Sequence, residues 1–340
     1  MIENRAPAKA DEPANPPGED DREGISPVPN PIGMEGIEFI EYSTPRPQAL
    51  GQELERIGFR PVARHRSREV LLFRQGDMNL IVNAHPDDQV PLATTPTLAA
   101  FALRVRDARD AYRHVVAHGG WPVPVRTEVM ELHIPAIRCA GGSRIYFVDR
   151  RREFSTERRV APSSVEPPRG AGWAQPGPWG PSIYDVDFVP IPTVDRSPPA
   201  LAGLDYFGIV QYIGPDRMAD WIAFYRELLG FAPIPDEVRF GILPRGTLLR
   251  SPCGTFYVQL VEADWDAADS GPRETLRRIG FGTADVPAAM AALAARGVTF
   301  IDNDRLRPSD RGAVTEPRLG GLMFELVHRD RTAASPDRPG

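Results

Sequence analysis

The strongest constraint on this chain is a unit of strand, helix and three strands that it runs through four times, since a repeat of that kind sets the fold before any single residue is considered. In the first copy Ile37, Phe39 and Glu41 alternate with Glu38, Ile40 and Tyr42, the period of a strand, until Pro45 ends it. Pro47 fits the first turn of a helix in which Leu50, Leu54 and Ile57 hold helical spacing and Gly58 closes the run. Residues 62–65, 70–74 and 79–82 are short and rich in β-formers, with turn signals at Ser67 and at Gly76-Asp77.

The same order returns. A strand is predicted over 100–105, a helix over 107–118 capped by Asp107 and ended by Gly119-Gly120, and strands over 123–126, 132–137 and 144–149. The third copy has a strand over 204–213, a helix over 218–229 stopping at Gly230, and strands near 239–243, 247–250 and 256–261. The fourth has a strand over 279–283, a helix over 286–296 ending at Gly297, then 299–301, a short segment near 312–315, and 322–327. Two units per half make an α+β chain of two domains, expected at 33–152 and 203–331. Between them 153–202 is crowded with Pro, Gly, Ser and Trp and reads as a connector lying over a surface. Residues 1–32 and 332–340 carry too few large apolar side chains to offset ordering entropy and are expected to be disordered tails.

Composition removes several function classes. The only lysine is Lys9, so lysine-dependent Schiff-base or phosphate-loop chemistry has no residue to use. Cys139 and Cys253 sit in separate halves without CxxC spacing, which argues against a disulfide scaffold or a zinc cluster. Basic residues are scattered and the net charge is −6, so no nucleic-acid partner is expected. Neither a signal peptide nor a spanning segment is read from the start of the chain, and the expected compartment is cytoplasmic.

Residues 320–330, GGLMFELVHRD, set one carboxylate in an apolar strand. Leu322, Phe324 and Leu326 alternate with Met323, Glu325 and Val327, so Glu325 points away from its immediate neighbours. An ionised carboxylate facing a core is costly unless a metal, a cation or hydrogen-bond donors satisfy it.

From Asn30 to Arg329 the chain resembles the vicinal-oxygen-chelate superfamily and, within it, the 4-hydroxyphenylpyruvate dioxygenases. Residues 65–83, HRSREVLLFRQGDMNLIVN, look like that family's N-terminal-domain signature almost residue for residue, and NPIGMEGIEFIEYSTP before them also fits. The resemblance implies two domains of paired βαβββ modules forming open β-barrels, with a structural first half. It also implies ferrous iron, Fe(II), held in the second half by two histidines and a glutamate. The final-strand motif places that glutamate at Glu325, within Met323, Phe324, Leu326, Val327 and Arg329. The histidine positions carry other residues: the family's Ile-Asp-His reads Leu204-Asp205-Tyr206, and its Gln-His pair, counted back from Thr283 and Asp285, falls on Arg277 and Arg278. The Ser-Pro-Cys-Gly turn is kept at Ser251-Pro252-Cys253-Gly254, the usual following Asn falls on Val261, the segment from Arg311 to Gly320 is shortened, and the family's closing C-terminal helix is expected to be missing after Arg331.

A guanidinium has no lone pair to give a metal, and a phenol becomes anionic only under strong activation. The family metal positions Tyr206, Arg278 and Glu325 therefore leave Glu325 as the one ligand for any metal, and no cofactor is expected. His328, three residues on along a strand, faces the other way. Asp110, His114 and His118 share a helix face that reads as solvated, His65 and His133 as structural, and His85 as a turn residue. Trp221, Phe224 and Tyr225 have the spacing of a core stripe, and Gly280 to Gly282 lack a phosphate-loop context. The positive expectation is that Arg278 pairs bidentately with Glu325 while the Tyr206 hydroxyl donates to the same carboxylate.

The leading functional expectation is thus an iron-free relative that binds a small aromatic or oxo-acid ligand with Arg278, Tyr206, Ser251 and Phe324. The alternatives are a working dioxygenase with Fe(II) that converts a 4-hydroxyphenylpyruvate-like oxo acid to homogentisate in aromatic amino acid catabolism, metal-independent catalysis with Arg278 as electrophile, and a non-catalytic partner of an active paralogue. A homo-oligomer is also left open.

Overall fold

The computed structural model describes residues 29–84, 95–124, 133–149, 182–235, 240–242, 246–262 and 274–329. The first unit comprises β1 (Met34–Ser43), α1 (Pro47–Arg56), β2 (Arg60–His65), β3 (Val70–Gln75) and β4 (Met78–Asn83). The second comprises β5 (Thr97–Val105), α2 (Ala108–Ala117), β6 (Ala136–Arg138) and β7 (Arg144–Val148), followed by α3 (Ile183–Asp187) and β8 (Phe188–Pro190). The second half has β9 (Asp205–Ile213), α4 (Met218–Leu229), β10 (Ala232–Pro233), β11 (Thr247–Arg250) and β12 (Tyr257–Glu262), then β13 (Thr275–Thr283), α5 (Val286–Ala294), β14 (Gly312–Val314) and β15 (Phe324–His328).

Local chemistry explains the helix ends. The Asp107 and Asp285 side chains accept from the backbone N–H of Asp110 and Ala288, both at 2.9 Å, which satisfies first-turn donors. Gly230 closes α4 in the left-handed region at φ +77, where a side chain is disfavoured.

One sheet runs β6-β7-β5-β1-β4-β3-β2-β8 and the other β10-β11-β12-β9-β13-β15-β14. At the centre of the first, β1 and β5 are antiparallel, and each has a parallel partner from its own unit, β4 and β7. The second sheet repeats this with β9 and β13 between β12 and β15. One continuous core joins the halves: Leu50 and Leu54 of α1, Val115 of α2, Tyr225 and Leu229 of α4 and Leu293 of α5 belong to it with Phe59 and Phe281. No helix of the described residues is long and apolar enough to cross a membrane.

Three expectations change. The predicted strand at 239–243 is not one where described: residues 240–242 are irregular, and the short strand beside β11 is β10, because buried Phe231 donates its N–H to Tyr225 O and turns the chain back directly after Gly230. Around 123 and 299–301 only isolated bridges form, Pro122 with Ile137 and Phe300 with Thr315, while 125–132 lies outside the described residues. Within the described end of the 153–202 connector, residues 183–190 are not a surface segment, while most of 190–197 is exposed as expected. β8 pairs with β2, His65 against Phe188, and Ile183, Tyr184 and Phe188 pack with Phe39, Val62, Leu72 and Ala102 on the face of the first sheet away from its helices. Burial of a phenyl ring contributes about 2–3 kcal/mol, enough to hold this segment in the first domain.

Candidate ligand site around Glu325

Glu325 sits on β15 opposite Gly280 of β13, and Gly280 is opposite Gly208 of β9. Registered partners share a face of a sheet, so these positions define the face that carries Glu325. Arg278, two residues before Gly280, lies on it too. Its Nε stands 3.6 Å from Glu325 Oε2, with the two side chains only 8% and 5% exposed. That distance is an ion pair but not a hydrogen bond, and Arg278 Nε has no hydrogen-bond partner in the structure. The expected bidentate fork is therefore corrected to a single, loose approach through Nε.

The Glu325 carboxyl is pushed up to about 7 by burial, and Arg278 beside it limits the rise. Two features keep it dry. Gly241, at φ +64, passes over it so closely that a Cβ there would stand 2.7 Å from Glu325 Oε1. Phe207, Phe240 and Tyr257 form a ring cluster with centroids 4.9–5.4 Å apart, and Phe207 reaches the position a Cβ on Gly280 would occupy to within 3.6 Å. Arg329 closes the neighbouring end: its guanidinium lies 5.1 Å from the Phe207 ring centre, pairs with Asp205 at 3.2 Å and donates to Thr255 O at 2.9 Å. The Phe207 cluster was missed in the sequence; its signal was Gly280, which leaves room for the Phe207 ring.

Tyr206 is not part of this site. It is opposite Phe281, stacks on that ring at 6.4 Å and donates its hydroxyl to Asn79 O in the first half. The cause is a β-bulge: Gly280 faces Gly208 but Phe281 faces Tyr206, so Phe207 is an extra residue in β9 that re-aims its neighbours. Phe324 also faces away from Glu325, 5.5 Å from Phe281, and belongs to the shared core. Ser251 is buried, with its hydroxyl 3.3 Å from Cys253 Sγ and accepting from Phe256 N, and so shapes the turn before β12. Trp221 and Tyr225 are core and Phe224 is packed against it. His65 Nδ1 accepts from the N–H groups of Ser67 and Arg68 at 3.3 Å, and His133 is exposed. Asp110 pairs with Arg113 at 3.1 Å while the His114 and His118 rings lie 4.0 Å apart, and His85 lies outside the described residues.

Ferrous iron takes neutral imidazoles and carboxylates. The one described side chain paired with Glu325 is a guanidinium, the Phe207 ring lies over the neighbouring Gly280, and His328 follows on the strand's other face. These residues do not fit that metal. What the arrangement does offer is a protonatable carboxyl and a cation side by side on an aromatic wall.

Residues 28–189 match the family described as Hydroxyphenylpyruvate dioxygenase, HPPD, N-terminal, and residues 204–326 match the Glyoxalase/Bleomycin resistance protein/Dioxygenase superfamily. A 4-hydroxyphenylpyruvate dioxygenase of Legionella pneumophila (strain Corby) is 30% identical over 82% of this chain and 76% of its own length. One from Pseudomonas sp. (strain P.J. 874) is 36% identical over 60% of this chain; the match spans about half, 51%, of that relative. Among solved structures, a xylose isomerase-like TIM barrel/4-hydroxyphenylpyruvate dioxygenase fusion protein superposes with a TM-score of 0.64 at 24% identity, over 90% of this chain and 51% of that one.

Proposed function

This chain belongs to the 4-hydroxyphenylpyruvate dioxygenase family, and we propose that within it the chain is an iron-independent binding protein for a small carboxylate-bearing aromatic or oxo acid. The observation that carries the reading is Arg278: its guanidinium stands beside Glu325 on the Phe207 and Tyr257 face, loosely paired and with an unbonded Nε. A guanidinium pairs with a carboxylate in two parallel hydrogen bonds, and the ring cluster supplies the flat apolar wall that an aryl group stacks on. Glu325, held near neutrality by burial, loses its own charge below about pH 7 and then leaves Arg278 to the ligand. The relatives' names make 4-hydroxyphenylpyruvate the first compound to try.

The test is calorimetric titration of the full chain with 4-hydroxyphenylpyruvate and with phenylpyruvate, alongside metal analysis of protein made in iron-supplemented cells. Binding without stoichiometric iron, weakened at least tenfold by Arg278→Met, is the expected result. One iron per chain together with oxygen uptake on that oxo acid would replace this reading with a working dioxygenase.

A further inference from the structure

A cavity of about 50 Å³ lies at the seam of the two halves, away from Glu325. Tyr42, Thr95 and Thr97 line it from the first half and Arg277, Gly320 and Gly321 from the second. Tyr42 is 2% exposed, yet its hydroxyl has no hydrogen-bond partner. Burial raises its pKa well beyond neutrality, so the group remains an O–H donor. Hydroxyls of this kind are normally satisfied when buried, and one lining a polar cavity is a ready contact for an acceptor.

Arg277 is the exposed neighbour of buried Arg278. Its guanidinium lies 5.9 Å from the centre of the Tyr212 ring, a cation–π contact that orients the plane and leaves its N–H edge open, and no described residue pairs with it. The opposite wall is built close by glycine. Gly320 at φ +87 comes so near Thr95 that a Cβ would stand 2.5 Å from Thr95 Cγ2, and a Cβ on Gly321 would stand 3.6 Å from Arg277 Nη2. A cation, a buried tyrosine with an unbonded hydroxyl and two threonines thus line a space suited to an ion of a few heavy atoms. The chain's net charge of −6 gives anions no diffuse attraction, so any that binds does so through this local set.

We infer that the seam cavity is a small-oxyanion site, in which a carboxylate or phosphate-type anion sits between the Arg277 guanidinium and the Tyr42 hydroxyl. An anion held there touches both halves at once, β1 and the start of β5 on one side and β13 on the other, and so ties their relative position to its concentration.

The test uses the full chain, with inorganic phosphate and acetate titrated separately at an ionic strength matched with sodium chloride, and thermal unfolding as the readout. A saturable rise in Tm is expected with at least one anion, and the identity of that anion tells phosphate-type from carboxylate ligands. Arg277→Gln, at an exposed position that leaves packing intact, should weaken the midpoint concentration at least tenfold. Tyr42→Phe should weaken it severalfold without a Tm change in the absence of anion larger than a few degrees. Equal responses of the unsubstituted chain and Arg277→Gln, or no response to either anion, would overturn the site and would mean a cavity that holds only water.

Discussion

Tyr206 donates its hydroxyl to the main-chain carbonyl of Asn79, a residue 127 positions earlier and in the other half of the molecule. The bond makes Tyr206 a fastener of the seam. Tyr206→Phe should lower unfolding stability by about 1 kcal/mol, since it strips a buried carbonyl of its donor. Ligand affinity at Arg278 should be unchanged. Urea midpoints and calorimetric titration check both parts, and a loss of affinity without a loss of stability would return Tyr206 to the ligand site.

Glu325 gives the molecule a stability that depends on pH with an unusual sign. Its carboxyl titrates at about 7 in the fold against an ordinary 4.5, so the folded chain binds this proton more tightly than the unfolded one. The stabilisation is complete below the unfolded value and is lost as pH rises through about 7. The slope approaches about 1.4 kcal/mol per pH unit, for a total of about 3 kcal/mol. Glu325→Gln, which mimics the protonated acid, should match the unsubstituted chain at pH 5 and exceed it at pH 8. Chemical denaturation at the two pH values decides it; a variant that is less stable at pH 8 would show that the ionised pair with Arg278 is net favourable.

Gly241→Ala addresses the cover over the acid. The position needs φ +64, and a Cβ would meet Glu325 Oε1 at 2.7 Å, so the segment must lift. A cost of about 1–2 kcal/mol is expected from strain. Water then reaches Glu325, its pKa falls toward 4.5, and the pH slope between 4.5 and 7 flattens. An unchanged slope would place the dryness of Glu325 in the aromatic cluster alone.

Arg296, at the end of the last helix, donates from Nε to Arg56 O at 2.9 Å and from Nη2 to Glu55 O at 2.8 Å. Both acceptors are carbonyls at the C-terminus of α1, where a cation also meets the negative end of the helix dipole. Arg296→Met should cost about 1–3 kcal/mol and broaden calorimetric unfolding as the halves uncouple. A full-strength single transition would refute that role.

How much of this was legible in the sequence follows from the range of each signal. The cap at Asp107 and the stop at Gly230 are made by residues within a turn of one another, and they stand where the sequence places them. The pairing of Arg278 with Glu325 was readable in kind, because a buried acid demands a cation, though not in its loose geometry. Tyr206 was put at the site by the family motif alone, whereas the bulge at Phe207 sets it opposite Phe281, and nothing in the local sequence announces a bulge. The segments that cover the two sheets, 183–190 and 240–242, looked like linker or strand because what buries them lies far away in the chain.

The seating of α3 and β8 on the first sheet has a consequence for how the protein is made. Emerging from the ribosome, the first half has β2 as an open edge and a bare apolar face until Phe188 has cleared the exit, some forty residues after β7 is complete. Its first helix waits longer still, because the arginine that finishes α1 arrives 240 residues after the carbonyl it binds. A nascent chain of this protein should therefore gain protease resistance in two late steps, one after residue 190 and one after residue 296, and little before them.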